Sequence, residues 1–344
     1  MTAPQNILFI RLSSIGDIIL TTPVVRCVRE KFPEATISFV IKKEYYSLIQ
    51  HNPHIQHIYT YEKKKGEKNW RKLCKELKNK KFDWIVDLHR NLRSLYLKQI
   101  LGRVFTTTYN KLIYARTMLV LFGVDLYKSP KLVMLRYFEA VEKLHISYDN
   151  LGTEIIYNQQ DEDFTRDVMT REGIDLTKEI ITICPSASFT NKRWLPERFA
   201  AVGDLLIENY QCQIVFLGGK SDYELCNQIR TMMKNQSYNL AGKLPLLSSA
   251  KLLKISKLVL SNDSGMMHLA QSQKRPVVAI FGSTVKQLGY FPIPNNSEIA
   301  EVHLPCRPCT HIGQNKCPKK HFKCMKEVSI ELVLSKIKKL LAIC

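Results

Sequence analysis

The sequence predicts an α/β protein with two doubly wound domains, each built on a parallel sheet. Three observations support this fold class. The chain has 344 residues, of which 45% are hydrophobic and 24% charged, so it is long enough to form two hydrophobic cores. Short apolar, β-rich runs alternate with longer helical patterns, as in consecutive βα units. The alternation stops near residue 150 and restarts near residue 179, which indicates two separate series.

The first series predicts an N-terminal domain over residues 1–155. Its predicted strands are Asn6–Leu12, Thr36–Ile41, Asp83–Leu88 and Val104–Thr108. Its predicted helices are Ile18–Lys31, Lys68–Lys80 and Asn91–Leu101. A polar segment with helical character, residues 156–178, then predicts a linker.

The second series predicts a C-terminal domain over residues 179–326, followed by a C-terminal helix over residues 327–344. Its predicted strands are Glu179–Cys184, Gln213–Leu217, Leu258–Ser261 and Pro276–Phe281. Its predicted helices are Leu195–Asn209, Ser221–Lys234, Leu246–Ile255 and Ser264–Ser272. Ligands of such sheets bind at the carboxyl ends of the strands, so we expect the functional site in a cleft between two facing domains.

The charge is strongly positive and unevenly distributed. The chain carries a formal net charge of +20, and residues 1–150 hold 26 basic and 13 acidic residues, a net +13. This field favours an anionic partner such as nucleic acid, a phospholipid surface or a phosphorylated glycan. The alternative is a composition that only keeps the protein soluble. The basic run Lys63–Lys78 is most simply a solvated loop and helix face.

The cellular compartment also follows from composition. No apolar run reaches the roughly 18 residues that a membrane span needs, and the N-terminal apolar run Ile7–Ile10 is too short for a signal peptide. We therefore expect a cytoplasmic protein. Its ten cysteines would then be thiols or metal ligands rather than disulfides.

Three nucleotide-site patterns fail. A GxGxxG dinucleotide motif does not occur. Gly219-Lys220-Ser221 resembles the end of a phosphate loop, but Ile214 stands where that loop requires its first glycine, which excludes a P-loop kinase. The acidic run Asp161-Glu162-Asp163 resembles a metal-binding pair of some sugar transferases, yet acidic residues at this place simply favour a helix N-terminus.

The first strand ends in a candidate catalytic group. After Arg11 the chain continues as Leu-Ser-Ser-Ile-Gly-Asp, and Gly16 permits a tight turn. A carboxylate at this junction, Asp17, can accept a proton from a substrate hydroxyl. The alternative is that Asp17 only caps the following helix.

The second domain contains loops suited to an anionic ligand. The strand ending at Cys184 leads into a hydroxyl-rich loop with two cations, Lys192 and Arg193, which suits a diphosphate. Ser264 and Gly265 lie at the start of a predicted helix, where their backbone N–H groups can bind a phosphate. The alternative is that Ser264 or its neighbour Asp263 only caps this helix. Another strand end carries Asp222, which can accept hydrogen bonds from ribose hydroxyls.

As a set, these motifs resemble glycosyltransferase family 9, the ADP-heptose–lipopolysaccharide heptosyltransferases, over essentially the whole chain. The set is Ser13-Ser14-Ile15-Gly16-Asp17 with Thr22-Pro23, Asp87-Leu88-His89-Arg90-Asn91-Leu92-Arg93-Ser94, Lys192-Arg193-Trp194, and Asp263-Ser264-Gly265-Met266-Met267-His268. The resemblance implies two Rossmann-like domains of the GT-B glycosyltransferase fold. It also implies an inverting transfer of heptose from ADP-heptose to the inner core of lipopolysaccharide.

The resemblance further implies residue roles. Asp17 matches the catalytic aspartate, and Ser14 and Gly16 beside it belong to the acceptor side. The donor side comprises Ser188 and Lys192 at the diphosphate, Asp222 near the ribose, and Asp263, Ser264, Gly265 and His268 in the last motif. His268 has no assigned chemical role, and a packed core histidine is its alternative. Protein groups would take the place of a divalent cation, so we expect no metal requirement for the chemical step.

The acceptor side is expected in the more basic first domain. His89, Arg90 and Arg93 follow a strand and can meet carboxylate or phosphate groups, although Arg90 and Arg93 as exposed helix residues are an equal alternative. An anionic lipopolysaccharide acceptor at the inner face of the cytoplasmic membrane would suit the excess charge, with peripheral attachment to that surface. The alternative is a related nucleotide-sugar transferase that acts on another glycan or on a protein acceptor. The Kdo and heptose acceptors, and the exact donor sugar, are not distinguished.

A cysteine-rich segment lies near the C-terminus. Cys306, Cys309, Cys317 and Cys324 form a C-x₂-C-x₇-C-x₆-C pattern, which predicts a closed structural site for zinc or iron. Reduced, unliganded thiols are the alternative. The same segment and the positive charge would also fit a nucleic-acid-binding protein with a four-cysteine finger, but Trp70 alone interrupts the basic run with an aromatic ring. We therefore expect no nucleic-acid partner.

Overall fold

The computed structural model describes residues 3–342 of the chain. The strands within this range form two sheets in which every pairing is parallel. In chain order they are β1 Asn6–Ile10, β2 Thr36–Lys42, β3 His57–Tyr61, β4 Trp84–Asp87, β5 Phe105–Thr108, β6 Ile180–Cys184, β7 Gln213–Phe216, β8 Ser237–Asn239, β9 Leu258–Asn262, β10 Val277–Ile280 and β11 Ser297–Ala300.

α-Helices connect most consecutive strands, as is usual for parallel pairing, whereas short 3₁₀-helices lie between β2 and β3 and between β10 and β11. In chain order they are α1 Ile15–Ile19, α2 Thr22–Lys31, α3 Gly66–Lys78, α4 Leu92–Leu101, α5 Ile113–Phe122, α6 Val133–Tyr137, α7 Gln159–Arg171, α8 Pro196–Tyr210, α9 Tyr223–Met232, α10 Leu246–Ile255, α11 Gly265–Ser272, α12 Lys323–Lys326 and α13 Ile330–Leu341. Within residues 3–342, no helix has the length and apolar composition that crossing a bilayer requires.

The first compact unit contains the chain up to Lys111 and Val133–Ile156. Its sheet has the order β3-β2-β1-β4-β5. The central strand β1 is buried over its last four residues, because helices cover both faces of a doubly wound sheet. On one face, Trp70 and Leu77 of α3 pack on Leu8 and Ile85.

The second compact unit contains Leu112–Leu132 and the chain from Tyr157 onward. Its sheet has the order β11-β10-β9-β6-β7-β8. Ile181 and Leu260 in the central strands are fully buried, and α8 and α13 contribute Phe199 and Val333 to the same core. Both sheets reverse their strand order once, as doubly wound sheets do, so the predicted fold class is confirmed.

Three strands were not predicted, namely β3, β8 and β11. Two of them, β3 and β11, are only partly buried, and β8 has three residues. Each lies at or next to a sheet edge, where weak apolar patterning suffices. The helix predicted over Ile18–Lys31 is two helices, since Pro23 lies in the first turn of α2 and a new helix begins there.

The predicted domain boundaries need two corrections. The predicted N-terminal domain over residues 1–155 includes Leu112–Leu132, but this segment belongs to the second unit and contains α5, which was not predicted. The second unit resumes at Tyr157, so residues 157–178, which were predicted as a linker before a domain starting at residue 179, belong to the second unit and contain α7. The predicted C-terminal helix is observed as Ile330–Leu341, and residues 343–344 of the prediction lie outside the described residues.

Candidate functional site

In the first unit, strand order brings two predicted loops together. The order reverses between β1 and β4, which pair in parallel with Ile10 opposite Asp87. The loops after these two strands therefore lie side by side at the carboxyl edge of the sheet, where doubly wound folds bind ligands. One loop carries Ser14, Gly16 and Asp17, and the other carries His89 and Arg90.

Asp17 lies in the first turn of α1 and is held by three groups. Its Oδ2 accepts hydrogen bonds from the backbone N–H of Ser14 at 3.1 Å and from the Ser14 hydroxyl at 2.8 Å. Its Oδ1 lies 2.5 Å from a guanidinium nitrogen of Arg11. Burial opposes ionisation, but the Arg11 charge and the Ser14 hydrogen bonds outweigh it and lower the pKa of Asp17. Asp17 is therefore a carboxylate at neutral pH, as a proton acceptor must be, and it also caps its helix.

Arg11 is a site residue that the sequence analysis did not identify. The side chain is buried, donates to the carbonyl of Leu88 at 2.5 Å and to that of Ser13 at 2.8 Å, and lies 5.6 Å from the Tyr137 ring centre. It therefore ties the loop after β1 to the loop after β4. An arginine at the end of a fully apolar buried strand was the available sequence signal, because a buried cation needs a partner.

The loop after β4 is ordered by a second buried carboxylate. Asp87 Oδ1 accepts the backbone N–H groups of His89 at 3.0 Å and Arg90 at 2.8 Å, and its Oδ2 lies 2.8 Å from Lys98 Nζ. Burial, together with the charges of Arg11 and Lys111, lowers the pKa of His89 to about 3. His89 is therefore neutral at pH 7 and can bind an anion only as a hydrogen-bond donor.

The two predicted acceptor arginines do not point to one place. Arg90 donates to the carbonyl of Tyr109 at 2.8 Å. Arg93 pairs with Glu67 at 2.6 Å and lies over the Tyr61 ring at 5.4 Å. Arg93 instead lines a cavity of about 470 Å³ between α3 and α4, whose lining residues are Glu67, Trp70, Arg71, Asn91, Leu92, Arg93 and Tyr96.

In the second unit, the order of the sheet reverses between β6 and β9, and the loops after these strands hold the predicted donor residues. Lys192 Nζ lies 2.6 Å from Asp263 Oδ2, and the same oxygen accepts the Thr284 hydroxyl at 2.6 Å. Lys192 and Asp263 are only 13% and 5% exposed. Asn262 holds the two loops together, since its side chain accepts from Trp194 N and donates to the carbonyl of Pro185. Residues 71 positions apart thus form one buried ion pair.

The last predicted motif opens α11. Ser264 is the N-cap, and its hydroxyl accepts the N–H of Met266 at 3.3 Å. The cap interpretation of Ser264 is thus confirmed, and Gly265 begins the helix, where first-turn N–H groups and the helix dipole favour an anion. His268 lies one turn further and is buried, as a core histidine would be.

The remaining donor residues lie in neighbouring loops. Ser188 is exposed in the loop after β6. Asp222 accepts the hydroxyl of Ser186 at 2.6 Å and the N–H of Gly219 at 2.8 Å, so it links the loops after β6 and β7. All seven predicted donor residues therefore belong to the second unit, at or just beyond the carboxyl ends of β6, β7 and β9.

The cysteine-rich segment packs directly on the Lys192 loop. Asn191 donates its N–H to the carbonyl of Gln314 at 3.2 Å, and its side-chain oxygen accepts the N–H of Gln314 at 2.9 Å. Gly313 has a φ of +113°, and a Cβ at this position would lie 2.6 Å from Phe189 and 2.8 Å from Lys192. Only glycine fits this close approach.

A second connection runs from the same segment to the ion pair. Arg307, between two of the cysteines, donates to the carbonyl of Thr284 at 2.8 Å and pairs with Glu301 at 2.6 Å. Thr284 in turn donates to Asp263. The segment therefore supports the donor residues from two sides, which its sequence position alone did not indicate.

The four cysteines of the predicted metal site lie near one another, since burial together with the other thiols of the set raises the pKa values of Cys309 and Cys324. In a four-thiolate zinc site each sulfur lies about 2.3 Å from the metal, which brings all the sulfurs within about 4 Å of one another. Among residues 3–342, no three of Cys306, Cys309, Cys317 and Cys324 have sulfurs mutually within 4.8 Å. All four carry free thiols, and Cys306 Sγ lies 3.8 Å from a ring nitrogen of His321. A tetrahedral ion would require these sulfurs to move closer together, so the metal site stays a prediction.

Comparisons with known proteins agree with this geometry. The family model "Glycosyltransferase family 9 (heptosyltransferase)" matches residues 70–320. The chain is 28% identical to lipooligosaccharide heptosyltransferase 2 of Campylobacter jejuni, over 97% of this chain and 98% of that protein. Among solved structures, a family 9 glycosyltransferase of Veillonella parvula has a TM-score of 0.83 at 24% identity, covering 99% of this chain and 98% of that one.

A third relative is an Escherichia coli heptosyltransferase solved with ADP-2-deoxy-2-fluoro heptose. Its TM-score is 0.68 at 15% identity, covering 97% of this chain and 99% of that one. Since the family model spans most of the sequence and includes both the Lys192 loop and the start of α11, the chain belongs to glycosyltransferase family 9, the heptosyltransferase family.

Proposed function

We propose that the protein is an inverting glycosyltransferase that transfers heptose from ADP-heptose to the inner core of lipopolysaccharide. The observation that carries the proposal is the buried cation Lys192 beside the N-terminus of α11, at the point where the order of the second sheet reverses. A lysine ammonium and a helix N-terminus together suit a diphosphate. The names of the family 9 relatives, and the ADP-heptose analogue bound to one of them, supply the sugar and the acceptor class.

In this mechanism Asp17 takes the proton of an acceptor hydroxyl. The acceptor oxygen forms a bond to the anomeric carbon, and the bond from that carbon to the β-phosphate oxygen breaks on the opposite face. ADP leaves with the bonding electron pair. Lys192 and the first N–H groups of α11 stabilise the charge that develops on the leaving oxygen. Lys192 and the N-terminus of α11 would supply the positive charge that a divalent cation otherwise provides, so we expect transfer to proceed without one.

The first test is transfer itself. The protein is incubated with ADP-heptose and a panel of truncated core glycolipids, and ADP release and the acceptor mass are measured. A mass increase of one heptose supports the proposal. Sugar transfer from another nucleotide sugar, with no transfer from ADP-heptose, would overturn the donor assignment. The panel also decides between a Kdo and a heptose acceptor. A protein acceptor is incubated in parallel as the competing substrate.

Two further measurements examine the chemistry. Asp17→Asn is expected to abolish transfer and to leave ADP affinity near that of the wild type, because Asp17 belongs to the first unit and the donor residues to the second. Near-normal turnover of this variant would contradict the role of Asp17 as base. Activity that disappears with a chelator and returns only with Mg²⁺ or Mn²⁺ would contradict transfer without a divalent cation.

We also propose a structural role for the cysteines. A structural zinc or iron ion would draw the thiols of Cys306, Cys309, Cys317 and Cys324 together, and the segment already lies against the Lys192 loop. Elemental analysis of anaerobically purified protein decides this point: about one metal per chain, lost when cysteines are replaced by serine, is expected. Metal-free protein with normal stability would leave four reduced thiols.

A further inference from the structure

An exposed apolar surface lies on α5, in the segment that the sequence analysis did not recognise as a helix. Of the eighteen large hydrophobic side chains exposed within residues 3–342, six lie between residues 113 and 126. We call these six the α5 face: Ile113, Tyr114, Leu121, Phe122, Val124 and Leu126. Such a concentration exceeds the scattered exposure that is normal for a soluble surface.

The pattern is that of a helix with its apolar side turned outward. Tyr114 and Leu121 are seven residues apart, about two helical turns, which places them on one side of the helix, with Ile113 and Phe122 flanking them. Ile113 is 52% exposed, Phe122 67%, Leu121 69% and Tyr114 72%. The only buried residue of the helix is Leu119. An amphipathic helix of a globular domain normally buries its apolar stripe, so this face lacks a partner within the described residues.

The surrounding charge indicates what covers the face. Residues 110–131 contain four cations, Lys111, Arg116, Lys128 and Lys131, and a single carboxylate, Asp125. Asp125 is hydrogen-bonded to Gln287, next to the exposed cation Lys286. A two-fold pairing of identical chains would bring two patches of net positive charge together, which opposes a dimer. Anionic phospholipid headgroups neutralise them instead.

We propose that the α5 face inserts into the headgroup region of an anionic phospholipid membrane and anchors the protein there. Leu121 and Phe122 would enter the acyl boundary, Tyr114 would lie at the interface, and the flanking lysines would contact lipid phosphates. The inference deepens the proposed function, because a glycolipid acceptor is itself part of a membrane surface. It also places the lipid contact in the second unit, on a segment that lies within the more basic first 150 residues.

The test uses the full-length protein and sedimentation with vesicles that contain neither donor nor acceptor. Vesicles of phosphatidylcholine alone are compared with vesicles that also contain phosphatidylglycerol. Wild-type protein is expected to bind the anionic vesicles, less tightly as salt is raised. Leu121→Asp with Phe122→Asp is expected to weaken binding about tenfold or more, since two large apolar side chains lose their burial. Leu121→Ser with Phe122→Ser should show most of this loss without added charge.

The matched control carries the same charge change elsewhere in the second unit. Leu176 and Ile255 are 47% and 41% exposed and lie outside the α5 face, so Leu176→Asp with Ile255→Asp should bind vesicles within about threefold of wild type. Unchanged ADP affinity of each variant shows that the second unit is folded. Wild-type binding by the Leu121/Phe122 variants, or no vesicle binding by the wild type, overturns the proposal.

Two outcomes separate this proposal from others. Light scattering that shows a wild-type dimer and a monomeric Leu121/Phe122 variant, without vesicle binding, would identify the α5 face as a contact between two copies and refute the membrane assignment. If vesicle binding depends on the α5 face but no glycolipid accepts heptose, the proposed function fails and the membrane proposal stands. Transfer to a soluble core oligosaccharide should be the same for the wild type and these variants.

Discussion

Lys192 has two roles that a single substitution would confuse. It is the proposed diphosphate contact, and it also neutralises Asp263 at 2.6 Å in a place where that carboxylate is 5% exposed. Lys192→Met therefore leaves a buried carboxylate with the Thr284 hydroxyl and without its cation. Removing one partner of a buried pair costs about 3–5 kcal/mol. Because Lys192 retains some solvent contact, we expect about 3 kcal/mol, which moves the urea midpoint by about 1 M at a slope near 3 kcal/mol/M.

A second substitution separates the two roles. Asp263→Asn in the Lys192→Met background removes the uncompensated charge, so the double variant should recover most of the lost free energy of unfolding. ADP affinity should not recover, because the cation is still absent; a loss of about 1.5–3 kcal/mol weakens binding tenfold or more.

Urea unfolding and titration calorimetry with ADP measure the two quantities. Lys257→Met is the matched control, since Lys257 pairs with Glu179 at 2.7 Å on the surface and should contribute at most about 1 kcal/mol. The reasoning is refuted if Lys192→Met unfolds at the wild-type midpoint, or if the double variant binds ADP like the wild type.

Three further predictions concern other parts of the site. Arg11→Gln should raise the pKa of Asp17, because the positive charge that offsets the burial of this carboxylate is lost. The acidic limb of the kcat/KM profile, which rises as Asp17 ionises, should then move to higher pH. An unchanged acidic limb would contradict the Arg11–Asp17 pairing. Burial lowers the pKa of His89 to about 3, so its NMR ring resonances should not titrate between pH 5 and 8, and a midpoint near 6.5 would contradict a buried, neutral imidazole. Gly313→Ala should weaken ADP binding, because the added Cβ displaces the Lys192 loop. Gly173 also has a positive φ but no atom within 4 Å of an added Cβ, so Gly173→Ala should lower stability without weakening ADP binding. Equal ADP affinities of the two variants would exclude this role for Gly313.

Strand identity and the residues at strand ends were readable from the sequence. The strands β1, β4, β6 and β9 contain runs of apolar residues, and each is followed by the polar groups that form the candidate site. Periodicity and turn chemistry act over a few residues, so a single stretch of sequence reveals them. The family resemblance depended on these same stretches.

Only the tertiary structure shows which residues far apart in the sequence contact each other. The sequence places Lys192 and Asp263 in different loops, and only the order of the sheet, with β6 beside β9, makes them a buried pair. Likewise the sequence places Arg11 only at the end of a strand, and the folded structure brings its guanidinium against Asp17 and the carbonyl of Leu88.

The sequence by itself determined the fold class, the family and the loops that hold the candidate site residues, because local patterns encode secondary structure and strand ends. Tertiary structure decided which charges neutralise each other, that the cysteine-rich segment supports the Lys192 loop, and that α5 belongs to the second unit with its apolar face exposed. The physical reason is that pairing, burial and exposure depend on residues far apart in the chain, which only the folded packing brings together or keeps apart.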